Sequence, residues 1–89
     1  MKADVTNEEL LARLAKVTGQ VRGIGKMVTE GRYCIDIVNQ ISAARAALAK
    51  TAMLVVRRHL NNCVKKAMAE GRGEEIADEL VGTLARFMR

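Results

Sequence analysis

Three side chains of this sequence could together hold a soft metal ion: Cys34, His59 and Cys63, the two cysteines and the one histidine of an 89-residue chain. His59 and Cys63 are four residues apart, so on a helix they lie one turn apart on the same face and could share one ion. Cys34 comes 25 residues before His59. That is about 37 Å along a straight helix, whereas the ligands of one metal sit a few ångströms apart. One protomer therefore cannot gather all three. Two copies packed antiparallel about a two-fold axis can, because the symmetry places Cys34 of one beside His59 and Cys63 of the other, twice over. Two thiolates and an imidazole at low coordination number suit Cu(I), while Zn(II) needs a fourth donor. Singly, each residue has a plainer reading, the cysteines as small buried hydrophobes and the histidine as a satisfied structural residue. The pairing of donors on one face lifts the metal reading above it.

The element that must position these residues is the stretch Cys34–Glu70, which contains neither proline nor glycine. Ile37, Ile41, Ala44, Leu48, Val55, His59 and Cys63 recur in it at steps of three, four or seven, which predicts one long helix over residues 34–70. Before it, Thr6 and Glu9 form a capping box that opens a first helix over about residues 6–30, with Met1 to Val5 as a short mobile arm. Leu10, Leu11, Leu14, Val17, Val21, Ile24 and Val28 make its apolar stripe, and Gly31 ends it. Gly19, Gly23 and Gly25 inside that helix suggest close approach of another backbone or of a ligand, tight helix packing being the simplest use for at least two of the three. The two-residue link Gly31 and Arg32 leaves room only for a hairpin turn. Gly71 to Gly73 break the chain again. A third helix then spans about 74–88, with Glu74 and Glu75 at its positive end and Ile76, Leu80, Leu84 and Phe87 as its stripe.

The fold class is thus all-α, a three-helix protomer forming one domain over residues 1–89. Its core is aliphatic and alanine-rich, with only Tyr33 and Phe87 as aromatics. A monomer so thin buries little, so oligomerisation into an antiparallel dimer is expected to supply the rest. The net charge of +5, multiplied by assembly, favours a polyanion such as nucleic acid. No aromatic is placed to stack on bases, which points to duplex rather than single-stranded DNA. The absence of a signal-like or membrane-length apolar run leads to the expectation of a cytoplasmic protein. Nothing offers a nucleophile with its base, or a phosphate-cradling loop, so an enzyme is not expected.

The segments Arg13 to Ile24, containing Gly19-Gln20-Val21-Arg22-Gly23, and Arg32 to Leu48, opening on Arg32-Tyr33-Cys34, together with His59 and Cys63, resemble the copper-sensitive operon repressor family of bacterial transcription regulators. The resemblance covers nearly the whole chain. It implies a helical dimer, paired into a homotetramer, that binds operator DNA in the apo form and releases it when Cu(I) binds, so that copper-resistance genes are transcribed. In the family's nickel and cobalt sensors a histidine stands where this chain has Cys63, and another stands in the N-terminal arm, here Lys2. Its persulfide sensors keep both cysteines and lack the histidine. His59 therefore tips the reading to copper, with persulfide or thiol sensing as the alternative and copper buffering without DNA as another.

The same resemblance implies that Tyr33 and Glu79 hydrogen-bond the free ring nitrogen of the ligating His59, which would orient it and link the metal to the third helix. It also implies DNA contacts from Arg13 and Lys50. Arg13, Lys16 and Gln20 share a helical face, and Arg57 lies seven residues after Lys50, so Lys16 and Arg57 extend the candidate phosphate strip. The plainer reading is a solvated basic face.

Overall fold

The computed structural model describes residues 4–89, so Lys2 and the start of the expected arm lie outside the described residues. All the regular structure among them is helical: α1 (Asn7–Thr29), α2 (Cys34–His59), a π turn (Leu60–Val64), α3 (Lys65–Ala69) and α4 (Gly73–Phe87). The chain divides into two compact units, one ending at Val55 and the other running Val56–Arg89.

The first unit begins with a hydrophobic staple. Thr6 is the N-cap of α1, its Oγ1 accepting from the Glu9 backbone N–H at 3.1 Å. Val5 before the cap and Leu10 four residues into the helix are 3% and 6% exposed, the pair that fixes how a chain enters a helix. Val5 thus belongs to the folded unit rather than to a mobile arm. At the other end Gly31 takes φ +69°. Its N–H reaches the Val28 carbonyl and the Arg32 N–H reaches the Met27 carbonyl, at 3.1 and 3.0 Å. These are the two bonds of a Schellman cap, which needs a left-handed residue that only glycine adopts without strain. The chain then reverses into α2.

Each helix of this unit carries two lines of apolar residues rather than one stripe. On α1, Leu10 and Val17 are buried and Ile24 and Met27 half-buried, whereas Leu11, Leu14, Val21 and Val28 are exposed. On α2, Ala44 and Thr51 are buried and Ile37 and Ala47 half-buried, whereas Val38, Ile41, Leu48 and Val55 are exposed. The covered lines repeat every seven residues, and so do the exposed ones, displaced by four positions on both helices, Leu10, Val17 and Ile24 against Leu14, Val21 and Val28, and Ile37, Ala44 and Thr51 against Ile41, Leu48 and Val55. The hairpin therefore uses only half of the apolar surface that the sequence provides. Thr51 tolerates burial because its hydroxyl donates to the Ala47 carbonyl at 3.0 Å. Gly19, Gly23 and Gly25 serve no packing inside the chain, since a Cβ built on any of them meets no atom within 4 Å.

In the second unit the expected uninterrupted helix over residues 34–70 is corrected. Five residues, Leu60–Val64, form a π turn between α2 and α3. Adjacent Asn61 and Asn62 stand in its middle, and asparagine is a poor α former because its side chain competes for nearby backbone groups. After α3 the chain repeats the first unit's ending: Gly71 at φ +77°, with the Gly71 N–H on the Met68 carbonyl and the Arg72 N–H on the Ala67 carbonyl. Both caps are built on the same triplet, Glu30-Gly31-Arg32 and Glu70-Gly71-Arg72. At the second, the Arg72 guanidinium meets the Glu70 carboxylate at 2.6 Å, and that hydrogen bond and charge raise the Arg72 pKa above its ordinary value. The π turn, α3 and α4 all pack on one another. Ala67 is 1% exposed, and Val64, Ile76, Leu80 and Leu84 are half-buried, while Phe87, expected in the covered stripe, is exposed. Phe87 is the last residue of α4.

Candidate metal centre

His59 closes α2 and Cys63 lies within the π turn, so the turn that joins these two donors is not α-helical. An α-helix turns once in 3.6 residues, so four residues overshoot a full turn, whereas in the wider i→i+5 turn they fall short of one. His59 and Cys63 therefore remain on neighbouring faces, but with Cys63 displaced to the other side of His59. His59 is half-buried and Cys63 exposed. The residue that follows His59 on the covered side is Val64, five positions on. Periodicity alone could not show this, although the adjacent asparagines were a visible irregularity.

Cys34 is the first residue of α2 and is exposed, its thiol free like that of Cys63. Among the described residues of neither unit do three His, Cys, Asp or Glu side chains gather as a metal site requires. The donor types do fit a soft monovalent ion: two accessible sulfurs and one imidazole, with the thiolates supplying negative charge. Tyr33, just before Cys34, is 69% exposed. Glu79 on α4 is exposed too.

Of the residues expected to face DNA, Lys16, Lys50 and Arg57 are exposed. Arg13 and Gln20 differ. They are half-buried on the covered line of α1, flanking Val17, and the Gln20 Oε1 atom is buried without a hydrogen-bond partner. The stem of an arginine can lie along apolar surface with its head in solvent, so Arg13 contributes packing as well as charge. No helix among the described residues is long and apolar enough to cross a membrane.

A cysteine opening one helix of an all-helical chain and a His, Cys pair at a distorted turn are the candidate donor set, and comparison with known proteins gives the class. Residues 6–86 match the metal-sensitive transcriptional repressor family. The chain belongs to that family. It is 38% identical over 88 residues to the copper-sensing transcriptional repressor CsoR of Bacillus subtilis, covering 99% of this chain and 87% of that one. Its fold is similar to the Cu(I)-containing copper-sensing repressor CsoR of Geobacillus thermodenitrificans, with a TM-score of 0.86 and 45% identity over 99% of this chain and 95% of the other. The nickel-responsive transcriptional regulator InrS is similar as well, with a TM-score of 0.83 and 36% identity over 98% of each chain.

Proposed function

We propose that this chain is a Cu(I)-responsive repressor, which holds duplex operator DNA when metal-free and releases it on binding Cu(I), derepressing copper-resistance genes. The observation that carries the reading is the donor set on α2 and its π turn. Two accessible thiols and one imidazole match the preference of Cu(I) for soft ligands at low coordination number. The similarity to copper-sensing repressors supports it. The nickel-responsive relative shares the fold, and it is His59 with two sulfurs that favours copper over nickel here.

The site is completed by a second copy. The exposed line of α2 runs from Cys34 through Val38, Ile41, Leu48 and Val55, and one helical turn after Val55 comes His59. Antiparallel pairing that sets Cys34 against the other copy's His59 and Cys63 puts the two-fold axis near Ala46, Ala47, Leu48 and Ala49, midway between them. Alanines there let the two helix axes approach closely, and Leu48 meets its own copy. This dimer, and its pairing into a homotetramer, would cover the apolar lines that the protomer leaves open. Tyr33 and Glu79 are proposed to reach the free ring nitrogen of His59 only in that assembly.

Binding is reciprocal. If Cu(I) prefers the free protein, DNA affinity must fall by the same factor. Anaerobic titration of Cu(I) into a labelled complex of the protein with its own upstream DNA is expected to dissociate it at about one Cu(I) per protomer. Copper bound with DNA affinity unchanged would refute the proposal. The exposure of both thiols also favours a second reading, a persulfide sensor that links Cys34 and Cys63 of different chains through sulfur. Mass spectrometry after polysulfide treatment decides it: a chain-to-chain sulfur link that releases DNA supports that reading, and unmodified thiols exclude it.

A further inference from the structure

We infer that Arg58, Lys65 and Lys66 join Arg57 in a phosphate-binding patch for duplex DNA, and that the π turn assembles it. This rests on the reading above that the chain binds duplex DNA. All four residues belong to the unit Val56–Arg89, and they form two pairs, Arg57 with Arg58 and Lys65 with Lys66, eight residues apart. Eight residues of unbroken α-helix overshoot two turns by about 80°. The wider π turn between the pairs absorbs about one residue, which brings Lys65 back in line with Arg57 and Lys66 in line with Arg58. The covered residues report the same rotation. Lys66 follows the half-buried His59 by seven, the spacing that keeps one face of an unbroken helix, yet Lys66 is exposed and Ala67 is buried in its place. Val56, His59, Val64 and Ala67 thus line one side of this segment, and the two rows of cations line the other.

Three of these charges stand without a carboxylate. From Val56 to Gly73 the one acidic residue is Glu70, and the Arg72 guanidinium holds it at 2.6 Å. The unit's other carboxylates, Glu74, Glu75, Asp78 and Glu79, are on α4, which packs against the π turn and α3 and so belongs to the side of Val64 and Ala67. Among the described residues no carboxylate pairs with Arg57, Lys65 or Lys66. These three are exposed and Arg58 is half-buried. A small anion needs a concavity to hold it, whereas the outside of a helix is convex. The two pairs are separated by about 12 Å of helix axis, close to the width of the B-DNA major groove, about 12 Å. One pair can therefore meet each of the two strands that border the groove. Such contacts to phosphate position a duplex and carry no base readout.

Acetylation of the unaltered, metal-free protein tests the placement. The protein, alone and saturated with its own upstream duplex, is treated with an amine-acetylating reagent, and each lysine is read by mass spectrometry. Bound duplex is expected to suppress most of the modification of Lys65 and Lys66 and to leave Lys26, on α1 and 3.9 Å from Glu30, modified as before. Replacing both lysines of the pair by glutamine, which has nearly the helix propensity of lysine, is expected to flatten the slope of log affinity against log salt by about 0.9 for each lysine in contact. Replacing both by arginine is expected to restore the slope. Acetylation of Lys65 and Lys66 at the same rate with and without bound duplex overturns the inference and leaves DNA binding standing. So does suppression that is equal at Lys26, which would be general shielding, and so does a Lys65→Gln, Lys66→Gln protein whose slope is unchanged. A protein that does not bind its upstream duplex at all overturns the reading beneath as well.

Discussion

Replacing His59 by alanine removes the one nitrogen donor of the proposed site and leaves both thiols in place. Two thiolates still suit Cu(I), so His59→Ala is expected to retain copper binding, weakened, while losing most of the coupling between copper and DNA. Chelator competition gives the first quantity and fluorescence anisotropy with labelled operator the second. Loss of both in equal proportion would show that His59 serves affinity alone. The candidate donor types and their order are legible in the chain, whereas the gathering of the three at one ion rests on the proposed assembly, since no such group forms among the described residues. Which side of the helix each thiol takes is not legible, since it depends on the π turn Leu60–Val64, which a helical period does not reveal. The cap at Thr6 was legible for the opposite reason: it involves four consecutive residues and a 3.1 Å hydrogen bond, with no tertiary term. Thr6→Ala is expected to cost about 1 kcal/mol, seen as an earlier urea midpoint at fixed protein concentration.

The helices themselves are bounded by local chemistry, and their limits follow the glycines closely. Gly31 and Gly71 each hold a left-handed backbone angle inside a Schellman cap, where an L side chain costs about 1 to 2 kcal/mol. Gly71→Ala is expected to destabilise the chain by that amount in urea unfolding, with the second unit affected first in hydrogen exchange. A Gly73→Ala change meets a different obstacle, since its Cβ would come within 3.3 Å of the flexible Met68 Cγ, and a smaller loss is expected. What periodicity could not resolve was which of two adjacent lines a helix buries. Leu10 and Leu11, or Ala44 and Leu48, satisfy the same pattern, and only the partner helix decides between them. The glycines at 19, 23 and 25 suggest close helix packing from sequence, yet a Cβ built on any of them would meet no atom of another element within 4 Å among the described residues, so packing there does not require them.

For the molecule as a whole, the exposed line on α2 and the charge of +5 per chain make two linked demands, burial by a second copy and neutralisation by a polyanion. Leu48 is 48% exposed in the protomer and falls near the proposed two-fold axis, so each dimer buries it twice. Burying a leucine is worth about 1.5 to 3 kcal/mol. Leu48→Glu would instead set two like charges against each other, and sedimentation is expected to show monomer at micromolar concentration. Because the proposed site draws its three donors from two chains, the same variant is expected to lose copper binding while its cysteines stay intact and titratable. Copper bound normally by a monomeric Leu48→Glu protein would remove the basis for a shared site. DNA binding should fail with it, for a reason set by geometry rather than by any contact of Leu48. On the proposed reading Lys16, Lys50 and Arg57 would give one protomer few phosphate contacts, and a two-fold assembly would double the number made at once. Each contact steepens the fall of affinity with salt. Lys50→Ala in the intact assembly is therefore expected to weaken binding about equally on all sequences and to flatten the slope of log affinity against log salt by about one for each copy that reaches a phosphate, whereas Leu48→Glu should remove the slope's cooperative share altogether. An unchanged slope for Lys50→Ala would place the DNA on a different basic face.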